Sequence, residues 1–240
     1  PLSVAWNRAF MECKGDTGLI KQQEFYDKYV RRAKERVVVI ISDAFRFEVG
    51  QTLLKRLMED EKCTASMDAM QSVLPSYTRF GMSALLPHRK LSMSDDYSVL
   101  VDGKICDNLN SREQVLQSFV PNSRTVQFDD IKTMKVSELK EIFSGQEVVY
   151  VYHNQIDARG DKLNTENEVF TACEEAVEEI HTMIKRLTSA NNIRFIITAD
   201  HGFIYKRDKL VESDKISGFE RENAFVGRRY VIAPEGIHAE

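Results

Sequence analysis

The chain has few cysteines, and their spacing excludes the sites that cysteines usually build. Its 240 residues include four cysteines, at positions 13, 63, 106 and 173, and no two of them form a C-x-x-C pair. Zinc sites made of cysteine use such short spacings, and small disulfide-rich domains carry a denser set. We therefore predict reduced thiols and no cysteine-based zinc site.

Long apolar runs, a signal peptide and an excess of positive charge are also missing. No stretch approaches the roughly 18 apolar residues of a membrane span, so we expect a cytoplasmic protein without membrane partners. The net charge of −4 gives no support for binding duplex nucleic acid through bulk charge. No G-x-G-x-x-G follows a predicted strand, which disfavours a dinucleotide-binding dehydrogenase.

Three apolar stretches, at 37–42, 147–152 and 193–199, are rich in branched and aromatic residues and do not alternate with polar ones. Such runs are typical of strands buried on both faces of a parallel sheet. Each run leads into polar side chains, namely Asp43 after the first, His153, Asp157 and Asp161 after the second, and Asp200 and His201 after the third. Since open α/β sheets place their chemistry at the carboxyl ends of strands, these side chains predict a metal site.

Predicted helices alternate with these strands and with weaker ones. Helices are predicted at 3–13, 19–35, 44–58, 80–86, 111–119, 136–143 and 166–190. Weaker strands are predicted at 65–70, 97–101, 124–128 and 229–233. The pattern predicts an α/β fold, a three-layer α/β/α sandwich with a mostly parallel central sheet. The sequence starts without Met and stops within a segment, so we expect a fragment, with a helical lead-in at 1–36 and one domain at 37–240.

Each candidate residue also has a structural interpretation. Asp43 and Thr78 are typical helix caps, Asp200-His201 is compatible with a polar turn, and His153 with a structural histidine. Their shared position beside strand ends and a helix start favours the functional interpretation. His nitrogens and carboxylate oxygens suit zinc or manganese, and a hydroxyl beside such an ion is activated to attack phosphorus.

A threonine at a helix start also has backbone N–H groups nearby for an anion. Arg46 and Arg79 are placed to bind phosphate oxygens, with surface ion pairs as the equally supported alternative.

Four blocks in order, at 41–50, 74–87, 152–161 and 198–205, resemble the PglZ domain of the alkaline phosphatase superfamily. They read ISDAFRFEVG, LPSYTRFGMSALLP, YHNQIDARGD and TADHGFIY. The resemblance implies an alkaline-phosphatase-like fold. It also implies that Asp43, Asp200 and His201 bind one metal ion, and that Thr78 is both nucleophile and metal ligand.

The resemblance also implies a second metal site, which contains Asp157. Asp161 stands where many superfamily members have histidine, so this site departs from the usual pattern. His238 is the downstream candidate for a further histidine ligand, with a residue beyond the given sequence as the alternative. His153 is a ligand or a partner of one.

The leading hypothesis is a metal-dependent phosphomonoesterase or phosphodiesterase of bacterial BREX phage defence, acting with other defence proteins. The expected cofactor is a pair of zinc ions, with manganese or magnesium as alternatives. A second hypothesis is a nuclease-like diesterase, whose candidate basic residues are Lys206, Arg207, Lys209, Arg228 and Arg229. A third is a catalytically weak scaffold in a defence complex.

Overall fold

Eleven strands and eight α-helices lie within residues 2–160, 168–204, 224–227 and 230–233, which the computed structural model describes. The strands are β1 (Ile20–Lys21), β2 (Val37–Ser42), β3 (Met70–Gln71), β4 (Leu91–Met93), β5 (Val99–Val101), β6 (Lys104–Ile105), β7 (Ser123–Gln127), β8 (Val148–His153), β9 (Arg194–Thr198), β10 (Phe225–Val226) and β11 (Val231–Ile232). The helices are α1 (Leu2–Glu12), α2 (Phe47–Met58), α3 (Thr78–Ala84), α4 (Leu109–Phe119), α5 (Phe128–Ile131), α6 (Val136–Phe143), α7 (Ile156–Gly160) and α8 (Val169–Ser189).

The central sheet has four parallel strands in the order β7-β8-β2-β9. Its register brings the carboxyl ends of the three longest apolar runs together, because Ser42 pairs with His153 and Ile41 pairs with Thr198. The residues that follow β2, β8 and β9 therefore meet at one edge, as the sequence predicts.

Helices cover both faces of this sheet, which explains why β2 is apolar at every position. Val38 and Ile40 pack with α2, α6 and α8, whereas Val37, Val39 and Ile41 pack with α3 and α4. All six residues of β2 are buried. The predicted three-layer α/β/α sandwich with a mostly parallel sheet is confirmed.

The helix predicted at 19–35 is wrong. Residues 20–21 instead form β1, which pairs with β3. The strand predicted at 65–70 is likewise much shorter in the structure, where β3 is Met70–Gln71. A 3₁₀ turn (Gln22–Glu24) and a π-helical turn (Tyr26–Val30) follow. Phe25 and Val30 are five residues apart and both buried, a spacing that the wider π turn accommodates better than an α-helix.

Two small antiparallel sheets lie outside the central one. One has the order β4-β5-β6, with Asp102 and Gly103 at positive φ in the turn that follows β5. The other pairs β10 with β11, the latter within the strand predicted at 229–233. Among the described residues, no helix combines the length and the apolar character needed to cross a bilayer.

Candidate metal centre

Asp43, Asp200 and His201 converge at the carboxyl edge of the central sheet. Asp43 follows β2 directly, and Asp200 and His201 follow β9, the neighbouring strand. One ligand atom from each of these residues lies within 4.8 Å of the others. Two carboxylate oxygens and an imidazole nitrogen at this separation form a ligand set that suits zinc or manganese.

Both carboxylates are buried, and each has an oxygen without a hydrogen bond. Asp43 is 4% exposed and Asp200 is 0% exposed. Asp200 Oδ1 accepts a hydrogen bond from the backbone N–H of Ala44 at 3.1 Å. Within the described part of the chain, Asp43 Oδ1 and Asp200 Oδ2 have no hydrogen-bond partner. Because buried anionic oxygens without partners are costly, these two atoms fit a site that binds a cation.

The electrostatics of the three residues agree with this interpretation. Burial raises the pKa of Asp200 well above its usual value, and the neighbouring charge of Asp43 raises it further. For His201, burial opposes protonation, but the carboxylates of Asp43 and Asp200 outweigh it and raise the pKa to about 9. In the metal-free chain the site therefore retains protons, which a cation would replace.

The orientation of the His201 ring suits a metal ligand. Its Nδ1 lies 3.0 Å from the carbonyl oxygen of Gly202, to which it donates. Its Nε2 lies 3.3 Å from Asp43 Oδ1 and 3.5 Å from Asp200 Oδ2. When a cation displaces the Nε2 proton, a ring that donates through Nδ1 presents its Nε2 lone pair to the space between the carboxylates.

Thr78 lies beside this cluster, at the first residue of α3, which begins two residues before the helix predicted at 80–86. Its Oγ1 is 3.1 Å from His201 Nε2. The helix begins after Tyr77, whose backbone is extended, so Tyr77 and not Thr78 is the N-cap. The proposed nucleophile and the three proposed metal ligands therefore form one contiguous group of side chains.

Gly81 allows α3 to approach the site closely. A Cβ atom at this position would lie 2.2 Å from the carbonyl oxygen of Asp200, a distance that no side chain can occupy. The sequence alone has no signal for this contact, because a glycine within a short helix has many explanations. Gln22 is a second residue that the sequence analysis missed, and it donates to the same carbonyl oxygen at 2.7 Å.

The two arginines flank the site without entering the cluster. Arg46 pairs with Glu48 and lies over the ring of Phe203, with 4.7 Å from its guanidinium carbon to the ring centre. Arg79 is exposed on the first turn of α3. The role of both arginines in binding phosphate stays a prediction.

His153 contacts the residues next to the candidate ligands and is not itself part of the cluster. Its Nδ1 lies 2.9 Å from Ser42 Oγ and its Nε2 lies 3.0 Å from Glu179 Oε2, so both ring nitrogens have partners. Its backbone carbonyl accepts from the N–H of Asp43 at 2.8 Å. Of the two alternatives for His153, this geometry favours a partner of the ligand residues.

The second predicted metal site is not assembled within the described residues. Asp157 lies in α7 and is not part of the group that Asp43, Asp200 and His201 form. Asp161 and His238 lie outside the described residues. The described geometry therefore supports one ion, and the second site stays a prediction.

The parallel sheet and the acidic cluster at its carboxyl edge are consistent with an alkaline phosphatase-like domain. The family model for the "BREX system PglZ alkaline phosphatase-like domain" matches residues 23–239. The chain belongs to this PglZ family, as the resemblance of the four sequence blocks indicates.

Two similar proteins have related names. The chain is 40% identical over 229 residues to the "Alkaline phosphatase-like protein PglZ" of Bacillus cereus (strain H3081.97), covering 93% of this chain and 27% of that protein. It is 34% identical over 227 residues to the "Alkaline phosphatase-like protein BrxZ" of Escherichia coli O9:H4 (strain HS), covering 89% of this chain and 26% of that protein. The chain thus spans about a quarter of the length of these relatives.

Proposed function

We propose that this chain carries the site of a metal-dependent phosphohydrolase in which Thr78 is the nucleophile. The observation that supports this proposal is a pair of buried carboxylate oxygens, Asp43 Oδ1 and Asp200 Oδ2, that have no hydrogen bond among the described residues. They face His201 Nε2, which lies 3.1 Å from the Thr78 hydroxyl. Buried polar atoms normally have hydrogen bonds, and a bound cation would account for two carboxylate oxygens that lack them.

Asp43, Asp200 and His201 would hold a divalent ion, zinc first and manganese or magnesium as alternatives. Such an ion, when bound, lowers the pKa of an adjacent hydroxyl and neutralises charge on a phosphoryl group. The ligands stay in place because β2 and β9 fix their backbones. A second ion would need Asp157 together with Asp161, His238 or residues from elsewhere in the protein.

Thr78 would then act in two steps. Its hydroxyl loses its proton as Oγ forms a bond to phosphorus and the P–O bond of the ester breaks, and the alcohol leaves with the electron pair and takes up a proton. Water next attacks the phosphothreonine, the Oγ–P bond breaks, and phosphate is released with Thr78 restored. Arg46 and Arg79 would bind the non-bridging oxygens of the substrate.

The test uses the purified full-length protein loaded with zinc or manganese and assayed with aryl phosphate monoesters and diesters. Thr78→Ala is expected to abolish turnover, and Thr78→Ser to retain part of it because the hydroxyl remains. Thr52→Ala, which removes a surface hydroxyl on α2, is the control and should be neutral. Full activity in Thr78→Ala, or no turnover by the metal-loaded protein, would contradict the proposal.

A second candidate, a diesterase acting on nucleotides or single-stranded nucleic acid, is favoured by an aromatic group beside Thr78. Tyr77 and Tyr230 stack with ring centres 4.7 Å apart, and Phe225, 41% exposed, lies 6.1 Å from Tyr230. Aromatic rings next to exposed Arg79 offer stacking for bases and a charge for phosphate. The five basic residues named above lie outside the described residues.

This candidate predicts salt-sensitive binding of single-stranded oligonucleotides that Tyr77→Ala weakens. The control is Trp6→Ala, which removes an exposed ring that stacks on Phe10 in α1 and is not part of this aromatic group. If an oligonucleotide binds no better than an aryl diester of equal charge, the simpler phosphohydrolase remains.

We further propose that the chain works in the cytoplasm with other proteins of a BREX phage-defence system. The family description and the related BrxZ and PglZ proteins support this setting. A catalytically weak scaffold is the alternative role there. Metal analysis of the purified protein separates the two, because a scaffold would fold with full stability and contain no bound metal.

A further inference from the structure

Gln22 is a buried glutamine that joins two segments of the candidate site. It begins the 3₁₀ turn after β1 and is 1% exposed. Its Nε2 donates to the carbonyl oxygens of Asp200 at 2.7 Å and Ala199 at 3.2 Å. Its Oε1 accepts from the N–H of Val73 at 3.1 Å and from Ser72 Oγ at 3.4 Å.

These two groups of partners belong to the two halves of the reaction site. Ala199 and Asp200 form the loop that carries the metal ligands after β9. Ser72 and Val73 begin the segment that leads into Thr78. A single side-chain amide therefore contacts both loops, with its donor facing one and its acceptor facing the other.

The carbonyl of Asp200 is fixed from a second direction. The Cα atom of Gly81 packs against it so closely that a Cβ would lie 2.2 Å from the oxygen. Because Gly81 lies one turn after Thr78 in α3, this contact and the Gln22 hydrogen bonds together set where the Asp200 carboxylate lies relative to the Thr78 hydroxyl.

We infer that Gln22 is a positioning residue, which holds the metal-ligand loop against the nucleophile segment. The inference rests on the proposed function, since it assumes that Asp200 and His201 bind a metal ion. Gln22 touches no reacting group, and it acts through the main chain of Asp200. Partners that orient metal ligands in this way typically change metal affinity by about 10- to 100-fold when they are lost.

Asn192 provides a matched control within the same chain. It is also 1% exposed, and its Nδ2 donates to the carbonyl oxygens of Leu187 at 3.0 Å and Ala190 at 3.2 Å. It precedes β9, whereas Asp200 follows it, so it lies at the opposite end of the strand. A purely structural role for buried amides predicts equal effects of the two residues on the site.

The experiment compares Gln22→Met and Asn192→Leu in the full-length protein, since both keep side-chain volume and remove every hydrogen bond of the amide. Both variants should unfold at lower temperature. Only Gln22→Met should raise the zinc Kd, by about 10- to 100-fold in competition with a chromogenic chelator, and lower kcat more than it raises KM. Equal zinc Kd values for Gln22→Met and the wild type would overturn the inference, as would an equal change in Asn192→Leu.

A third variant separates the two ends of the amide. Gln22→Glu retains an acceptor for the N–H of Val73 but places an oxygen against the carbonyl of Asp200. We expect it to weaken zinc binding at least as much as Gln22→Met does. If Gln22→Glu bound zinc with wild-type affinity, the hydrogen bond from Gln22 to the Asp200 carbonyl would not be needed for zinc binding.

Hydrogen exchange distinguishes failure of this inference from failure of the proposed function. If the wild type binds none of zinc, manganese and magnesium, the proposed function fails. Hydrogen exchange still tests whether Gln22 joins the two segments, through the exchange rates of the peptides that cover 72–78 and 199–203. Gln22→Met should exchange faster than the wild type in both peptides and Asn192→Leu in neither. Unchanged exchange in Gln22→Met would overturn the inference with or without metal.

Discussion

The carboxylate of Asp200 has two different environments at its two oxygens. Oδ1 is held by the N–H of Ala44, whose own backbone adopts a positive φ of 60° in the turn after β2. Oδ2 is buried without a hydrogen-bond partner among the described residues. A side chain that is half satisfied in this way is better suited to binding a cation than to stabilising the empty fold.

Asp200→Asn should therefore stabilise the metal-free protein while it destroys metal binding. Asparagine keeps an oxygen for the N–H of Ala44 and removes the buried negative charge, so we expect a gain of about 1–2 kcal/mol in unfolding free energy near pH 8. Zinc affinity should fall by about 100-fold or more, since a ligand is lost. Urea unfolding with a chelator present and zinc titration measure the two effects.

Asp107→Asn is the matched control, because Asp107 is exposed and the change in charge is the same. It should alter unfolding free energy by less than about 0.5 kcal/mol and leave zinc affinity unchanged. A metal-free Asp200→Asn protein that is less stable than the wild type would show that the carboxylate stabilises the fold without metal.

The residues that the sequence could predict are those with a local signal. Asp43, Asp200 and His201 each follow an apolar run, and Thr78 lies near the start of a helical pattern. Their positions relative to the strands and helices can therefore be predicted from the sequence. Gln22 has no such signal. It lies in a segment that an apolar stripe predicts to be a helix, and its partners are 50 to 178 residues away in the chain.

Among the elements, α3 is a helix whose position depends on Gly81, a residue without a side chain. Its seven residues, Thr78–Ala84, begin at the proposed nucleophile and end in the buried core under β2. Gly81 brings the helix against the backbone of Asp200, where the added atom of any other residue would collide. The separation of Thr78 and His201 is thus a property of how α3 packs on the loop after β9.

Gly81→Ala should therefore move α3 and separate the two halves of the site. The backbone of Asp200 cannot yield as a flexible side chain would, so we expect a loss of about 1–3 kcal/mol in stability and a large loss of phosphatase activity. Gly50→Ala in α2 is the control, since its Cβ would meet side chains and no backbone atom. The nearest is the flexible terminal methyl of Met67, at 3.0 Å, and the ring of Phe45 follows at 3.7 Å.

Thermal unfolding and phosphatase assays of both variants distinguish packing at the site from a general effect of adding a methyl group to a helix. Gly50→Ala should keep activity, and alanine is favoured over glycine in a helix by about 1 kcal/mol. Gly81→Ala with wild-type activity would mean that the close approach of α3 is not needed for the proposed reaction.

At the scale of the whole molecule, the layered fold follows from the apolar runs, because strands buried on both faces need helices on both sides. The segment before β2 could not be predicted in the same way. Phe25, Tyr26 and Val30 read as one helical stripe in the sequence. In the structure they pack with Val39 and Ile41 of β2 through a 3₁₀ and a π turn. Their tertiary contacts override the local helical preference.

The unfolding free energy of the metal-free chain should fall as pH rises, and bound zinc should offset this fall. The pKa values of Asp200 and His201 are both raised in the metal-free fold, that of His201 to about 9 from an ordinary value of 6.5. A raised pKa contributes stability that is complete below the unfolded-state value and is lost as pH rises through the folded-state value. For Asp200 this loss begins near its ordinary value of 3.8, and for His201 it runs from pH 6.5 to about 9, so the metal-free protein should lose about 1–3 kcal/mol between pH 6.5 and 9.

A bound ion replaces these protons, so zinc affinity should increase over the same pH range and offset the loss. Urea unfolding at pH 6, 7, 8 and 9, with chelator or with buffered zinc, measures both curves. In His201→Gln the metal-free curve should be flatter, because a group whose pKa is raised is removed. Metal-free stability that is constant or rises over this range would mean that Asp43, Asp200 and His201 are not electrostatically coupled as the geometry indicates. The candidate centre would then rest on its geometry alone.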